Sequence, residues 1–557
     1  MSSFYSAGLL EPLPPTEKKM RRISAATFCV ALILWSLVFP AFTAAGVANA
    51  FPPSPRPTTA TPIKHLVVIF QENESFDHYF GTYPKNDSSE PPFNAAPNTP
   101  AVNGLTPTLL TNNPNKAVAG NPFLLTREQA ATCDNTNKYT PEQEAFDGGL
   151  LDMFNLLAPS AKTAATCGGS TGFYLPPNLE MGYYTGNTVT ALWNYAQHYA
   201  MSDNFFDTEF GGTVEGHLNL LSGQTNGLTV GNSTLLTTSL ISNNTVINNV
   251  QPANDDCAAS NPPTITMTGH NVGDLLNKAG VTWGWFYDGF RSNGNLPGNP
   301  ATCGNPLYNS HYAPFGYWAS TSNPHHLAPT SAATIGTTDP ANHNYDLSDL
   351  WEAVAANNLP AVTFIKGSSL ETGHPMDSTP LEEQTFLVNT INKLEESPEW
   401  NEMAIIVAWD DSDGWYDHVA GPIVNHSTDN ANDGIQGAPS KGTGSCGALG
   451  TGADNDRCGF GPRLPFLVIS PYAKQNYVDH SLNDTTSILR FIEYNWSLGA
   501  VGSLGISNDL QSFDVMASGS ILGMFDFNQD DFLFFPQFFP NRRLILNPSS
   551  GGVSGWY

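Results

Sequence analysis

Basic side chains are scarce in this sequence. Lys and Arg number 22 against 50 Asp and Glu, which leaves a formal net charge of −28 at pH 7. A chain this acidic repels polyanions, so nucleic acid is excluded as a partner and anionic lipid surfaces are disfavoured. CxxC spacing is absent, which argues against a structural zinc site. Internal repeats are absent as well. One long apolar run occurs, from about Ala25 to Ala45, behind Lys18, Lys19, Arg21 and Arg22 and ahead of Ala48-Asn49-Ala50. Residues 1–50 therefore read as a removable signal peptide, with an uncleaved N-terminal anchor as the alternative. Either way the remainder is secreted or periplasmic, with no stable membrane insertion once the signal is cleaved.

Of seven cysteines, Cys29 lies in that leader. The other six form an even set, as an exported chain held by disulfides would have. Neighbours pair most simply as 133–167, 257–303 and 446–458, although six cysteines allow fifteen connectivities. Residues 51–62 (FPPSPRPTTATP) form a Pro-rich linker. The catalytic domain is expected over 63–500, and an aromatic C-terminal extension over 501–557 should pack back onto it. Short β-branched runs predict buried strands at 63–70, 281–287, 361–366, 403–409 and 464–470. Helical spacing marks 188–202, 270–279 and 380–396, while 86–130 reads as an irregular excursion. This alternation predicts an α/β fold with a central, mostly parallel sheet flanked by helices and carrying loop-rich insertions. In such sheets the chemistry gathers beyond the carboxyl ends of the strands.

Three places meet that rule. The strand ending at Phe70 runs into Gln71-Glu72-Asn73-Glu74-Ser75, where Glu72 and Asn73 offer oxygen donors to a hard cation; a polar turn capped by Asn73 or Ser75 is the bland alternative. The strand ending at Trp409 runs into Asp410-Asp411-Ser412-Asp413-Gly414. Adjacent acids there repel unless a cation lies between them. An EF-hand loop fits less well, because a strand stands where a helix belongs and the twelfth-position Glu is missing. Between these segments, Gly211-Gly212-Thr213 precedes a helical pattern. A hydroxyl at a helix start beside a metal can become a nucleophile toward phosphate, whereas a plain N-cap is its structural alternative. Among the histidines, His374 and His326 are candidates to protonate a leaving group or bind phosphate oxygens. His343 and His480 read as structural or supporting.

The density of these pieces resembles the bacterial phosphoesterase family that contains acid phosphatases of the AcpA type and secreted phospholipases C. The resemblance spans roughly 63–530. It rests on IKHLVVIFQENESFDHYFGTYP, MGYYTGN, MSDNFFDTEFGGT, GVTWGWFYDGF, NPHHLAP, GHP, WDDSDGWYDHV, GPRLPFLVISPYAK and DHSLNDTTSILRFIE. It implies an alkaline-phosphatase-like α/β fold and one divalent metal ion on Glu72, Asn73, Thr213, Asp410 and Asp411. It also implies substrate-contacting or acid histidines at His326 and His374. The identity of the metal stays open among Ca, Mg, Mn and others.

Two departures stand out. Thr213 replaces the Ser of the phosphatase branch, and Asn137 stands where a further active-site histidine is expected; Asn donates a hydrogen bond to phosphate but carries no proton. The expected activity is hydrolysis of phosphate monoesters through a phosphothreonine. Larger phospholipases of the family carry C-terminal β-rich domains, whereas about fifty residues follow the last motif here. Phospholipase C action on phospholipids and a non-catalytic binding protein are the alternatives.

Overall fold

The structure is a computed structural model. It describes residues 58–86, 93–167, 172–231, 240–258, 263–291, 303, 305–427, 429, 431–435, 446, 457–503, 519–528 and 542–557. The leader, most of the linker and the aromatic patch up to Phe539 lie outside the described residues. The chain divides into Met1–Pro55 and Arg56–Tyr557, and everything below concerns the second unit.

Its centre is an eight-stranded sheet of β1 (His65–Gln71), β2 (Ala200–Ser202), β3 (Trp283–Tyr287), β4 (Asn344–Asp346), β5 (Val362–Lys366), β6 (Met403–Trp409), β7 (Phe466–Ile469) and β8 (Tyr477–Asp479). The order is β4-β3-β5-β1-β6-β7-β2-β8. Every neighbouring pair is parallel except β6–β7 and β7–β2, so β7 alone runs against the rest. β1 (HLVVIFQ) and β6 (MAIIVAW) are buried at every position. That is why they read as continuous apolar runs rather than alternating ones. The expected mostly parallel α/β sheet is what the chain forms.

Its register decides the site. Gln71 pairs with Trp409 at the ends of β1 and β6, and the Asp410 N–H donates to Gln71 O at 3.2 Å. Glu72-Asn73 and Asp410-Asp411 therefore leave the sheet side by side. β5 ends on the same edge, with Ile365 opposite Ile69 and Lys366 opposite Tyr287.

One predicted helix is shorter than expected. Residues 188–202 form a helix only over Thr190–His198; Tyr199 then turns and Ala200–Ser202 becomes β2. Pairing with β7 and β8 overrides the helical spacing, because tertiary hydrogen bonds outweigh local propensity. The helix expected near 380–396 spans Pro380–Glu395, with Thr379 and Glu382 forming a capping box. Disulfides join Cys133–Cys167, Cys257–Cys303 and Cys446–Cys458. In the C-terminal stretch, Leu544–Leu546 pairs with Val553–Trp556. Asn392 ties that hairpin to the long helix, its Nδ2 donating to Leu546 O at 2.9 Å.

Candidate active site

Asn73 is held in the left-handed region at φ 64°, which asparagine tolerates better than most side chains. Its N–H donates to Asp410 Oδ1 at 3.0 Å and its Nδ2 to Asp413 Oδ1 at 3.1 Å. The Asp411 N–H also donates to Asp410 Oδ1, and the Asp413 N–H donates to Asp411 Oδ1 at 2.7 Å. These bonds lock the two loops into one frame. Ser75, not Asn73, caps the short helix Phe76–Phe80 by accepting from the His78 N–H.

Thr213 is the first residue of the helix Thr213–Ser222, and its N-cap is Gly212. Its hydroxyl is thus free of capping duty and lies 3.4 Å from both Glu72 Oε2 and Asp411 Oδ2. Two devices bring it there. Gly211 adopts φ 131°, and its N–H donates to Glu142 Oε2 at 2.9 Å; the other Glu142 oxygen accepts from Ser412 Oγ. Gly216 lets the helix sit on the end of β6, since a Cβ there would stand 2.1 Å from Asp410 O.

The electrostatics suit a cation. Burial, opposed by Lys366, raises the Glu72 carboxyl above its ordinary range. Asp410 is lifted well above its own by burial and by Glu72, and Asp411 by burial and by Asp410. Asn73 Oδ1, Asp410 Oδ2 and His217 Nε2 are buried without a hydrogen bond. Buried acceptors so arranged are what a divalent ion with oxygen ligands would satisfy. Among the described residues, two other clusters of ligand-type side chains are closed differently. Asp77, Asp417 and His418 surround Arg463, and Cys257 beside Asp255 and His326 is tied up in a disulfide.

The half-buried Asn137 donates through Nδ2 to Asp411 Oδ1 at 3.0 Å. His374, also half-buried, turns Nδ1 to Pro375 O at 2.7 Å. Burial pulls its pKa down, but Asp134, Asp377, the Pro375 carbonyl and Asp411 together carry it above the ordinary value. His326 is engaged elsewhere: Nδ1 lies 2.7 Å from Phe290 O and Nε2 3.0 Å from Asp255 Oδ1. His343 stacks on Trp283 and bonds its backbone carbonyl, and His480 pairs with Asp203.

Comparison with known proteins gives the family. The profile of the Phosphoesterase family matches residues 63–499. The chain belongs to the phosphoesterase family. It is accordingly a hydrolase acting on phosphate esters. Among curated relatives of this phosphoesterase, Phospholipase C A of Mycobacterium tuberculosis is 26% identical over 490 residues, covering 82% of this chain and 79% of the relative. Non-hemolytic phospholipase C of Pseudomonas aeruginosa is 24% identical over 463 residues, covering 81% of this chain and 56% of the relative. Among solved structures, an alkaline phosphatase superfamily protein from Vibrio parahaemolyticus overlaps 56% of this chain and 60% of its own, at 11% identity and a TM-score of 0.27. That overlap is too slight to bear on function.

Three residues around the candidate site escape a reading of the sequence. His217 puts Nδ1 on Thr213 O at 2.7 Å and 3.6 Å from Asp410 Oδ2. His311 has its pKa lowered to about 3 by burial, with the charges of His374 and Lys366 adding to it, so it is neutral, its ring nitrogens facing the side-chain amides of Gln251 and Asn309. Lys366 closes the apolar run VTFIK and is fully buried against Glu72. A lysine ending a buried strand was its one visible signal.

Proposed function

We propose that this phosphoesterase, in an exported form, hydrolyses a phosphate ester through a phosphothreonine at Thr213. One divalent cation would be held by Glu72, Asn73, Thr213, Asp410 and Asp411. The carrying observation is the Thr213 hydroxyl at a helix start, 3.4 Å from a carboxylate oxygen of each strand-end loop. A bound ion would supply Lewis acidity toward the hydroxyl and the phosphoryl oxygens. The chain's residues do the rest. Thr213 Oγ1 gives its proton to a carboxylate beside it, Glu72 or Asp411, and attacks phosphorus in line as the bond to the ester oxygen breaks. Asn137 presents its second amide hydrogen to a phosphoryl oxygen, and His374, its proton favoured by surrounding carboxylates, protonates the leaving oxygen. Water then cleaves the phosphothreonine. His326, bonded to Phe290 O and Asp255, takes no part in these steps.

The acids around this centre do not choose between a phosphodiester and a monoester, because burial holds Glu142 and Glu215 protonated up to about pH 8. The relatives bearing the name phospholipase C favour the diester with a lipid leaving group. The monoester at acid pH is the second reading, in which Thr213 would take the place that Ser holds in the phosphatase branch. Export is supported by three disulfides.

The test is hydrolysis of p-nitrophenyl phosphorylcholine against p-nitrophenyl phosphate from acid to neutral pH, for wild type and Thr213→Ala, before and after chelation. Thr213-dependent turnover of the diester supports the phospholipase C reading, and turnover of the monoester confined to acid pH supports the second. Turnover that survives Thr213→Ala would sink both.

A further inference from the structure

We infer that Tyr139, which takes no part in the chemical steps, is a positioning residue for the nucleophile: its hydroxyl fixes the brace that holds Phe210-Gly211-Gly212, and through them Thr213. The inference rests on the reading that Thr213 is the nucleophile.

The segment that leads to Thr213 is laced to residues 458–462. The Asp207 N–H donates to Pro462 O at 2.9 Å, the Gly461 N–H to Asp207 O at 3.0 Å, and the Phe210 N–H to Cys458 O at 2.9 Å. The last of these lies nearest Thr213 along the chain. Cys458 is itself fixed twice. Its sulfur is joined to Cys446, and its N–H donates to the Tyr139 hydroxyl at 2.9 Å. That hydroxyl donates its own proton to Asp433 Oδ1 at 2.8 Å. Its donor and acceptor roles are both taken, which gives it one orientation. Tyr139 is fully buried, and the Arg457 guanidinium lies 5.2 Å over its ring.

Tyr139 is also the first residue of the helix Tyr139–Phe146, and the same stretch of chain supplies the other two holds on the turn. The Gly211 N–H donates to Glu142. Gly212 lies against Asn137, whose Nδ2 would stand 3.3 Å from a Cβ there. Three successive residues ahead of Thr213 are therefore gripped by this helix, by Asn137 just before it, and by the cysteine it anchors. Thr140 Oγ1 donates to Asn432 O at 2.6 Å and the Gly434 N–H to Gln143 Oε1 at 2.9 Å, so the helix rests on the loop that carries Asp433. Tyr139 joins loop, helix and Cys458 at a single atom. Without the hydroxyl, the buried Cys458 N–H and the Asp433 carboxylate lose their shared partner, and the grip on Phe210 loosens. A nucleophile misplaced by about 1 Å loses up to about a hundredfold in rate, so the drift should appear in kcat before KM.

The test sets Tyr139→Phe beside Tyr199→Phe in full-length protein with Mn²⁺ present. The readouts are melting temperature, and kcat and KM on p-nitrophenyl phosphorylcholine and p-nitrophenyl phosphate. Tyr199 is the matched control, a fully buried tyrosine elsewhere in the fold whose hydroxyl donates to Glu395 Oε1 at 2.8 Å. Both substitutions should lower the melting temperature. Tyr139→Phe should also lower kcat about tenfold or more with KM within about threefold, whereas Tyr199→Phe should keep the kcat of wild type. Wild-type kcat in Tyr139→Phe overturns the inference, and so does an equal loss of kcat in both variants. Should Tyr139→Phe not fold, Asp433→Ala, which removes the acceptor that orients the hydroxyl, gives the same reading. The parent reading fails in a different way: wild type turns over neither ester, or Thr213→Ala turns over as wild type does, and the inference then falls with it.

Discussion

Thr213 owes its chemistry to its neighbours. A hydroxyl 3.4 Å from two buried carboxylates is an acceptor-crowded group that gains nucleophilicity only when a bound cation lowers its pKa or a base takes its proton. Thr213→Ala should cut kcat/KM about a thousandfold or more, ~4 kcal/mol of transition-state stabilisation, with cation binding weakened but not lost. Thr213→Ser keeps the oxygen and should stay active. Steady-state kinetics beside Mn²⁺ calorimetry separates these outcomes. Asn137 donates to Asp411 Oδ1 but has no proton to give up. Asn137→His should therefore add an inflection near pH 6.5 to the rate profile; an unchanged profile would remove Asn137 from the substrate's reach.

At the scale of elements, the site is a meeting of two strand ends with one helix start. The strands were legible because each is an apolar, β-branched run followed abruptly by acids, a purely local pattern. The helix start was legible from its glycines. The distance between them was not: it depends on Gly216, where any Cβ would collide with the Asp410 carbonyl at 2.1 Å. Gly216→Ala should push the helix away from β6, costing about 1–3 kcal/mol by overpacking. Because Asp410 is the group displaced, cation affinity should fall along with stability. A variant that melts lower yet binds Mn²⁺ like wild type would show that helix and ligands move independently. The three-residue strands β4 and β8 escaped notice for the opposite reason. They have no run of their own and exist because β3 and β2 present edges to pair with.

Across the whole molecule, burial has placed many acids where they resist ionisation. Glu142, Glu215, Glu383 and Glu395 are each raised to about 8, chiefly by burial. A raised carboxyl binds its proton more tightly folded than unfolded, so its contribution to stability is full below about 4.5 and is lost as pH rises through about 8. The net charge of −28 grows in the same direction, adding self-repulsion. The chelated protein should accordingly show a higher urea midpoint near pH 5 than near pH 8. A midpoint that rises across that window would contradict the burial of these acids. The disulfides act independently of pH. Cys133–Cys167 spans 34 residues of sequence, and Cys133→Ser should lower stability by roughly 3 kcal/mol, readable as a lower urea midpoint.

What the sequence determined alone is what short-range patterning encodes. Apolar runs specify β1 and β6, a Pro with a Thr–Glu box starts the long helix, and the acids and hydroxyl that follow glycines or strands name themselves. The tertiary structure alone decided which of these residues meet, and with what partner. Lys366 reaches Glu72 across 294 residues of sequence, and His326 is claimed by Asp255 across 71. The physical reason is range. Hydrophobic periodicity acts over one element, whereas the charge balance of a buried site depends on side chains that only the register of the sheet brings together.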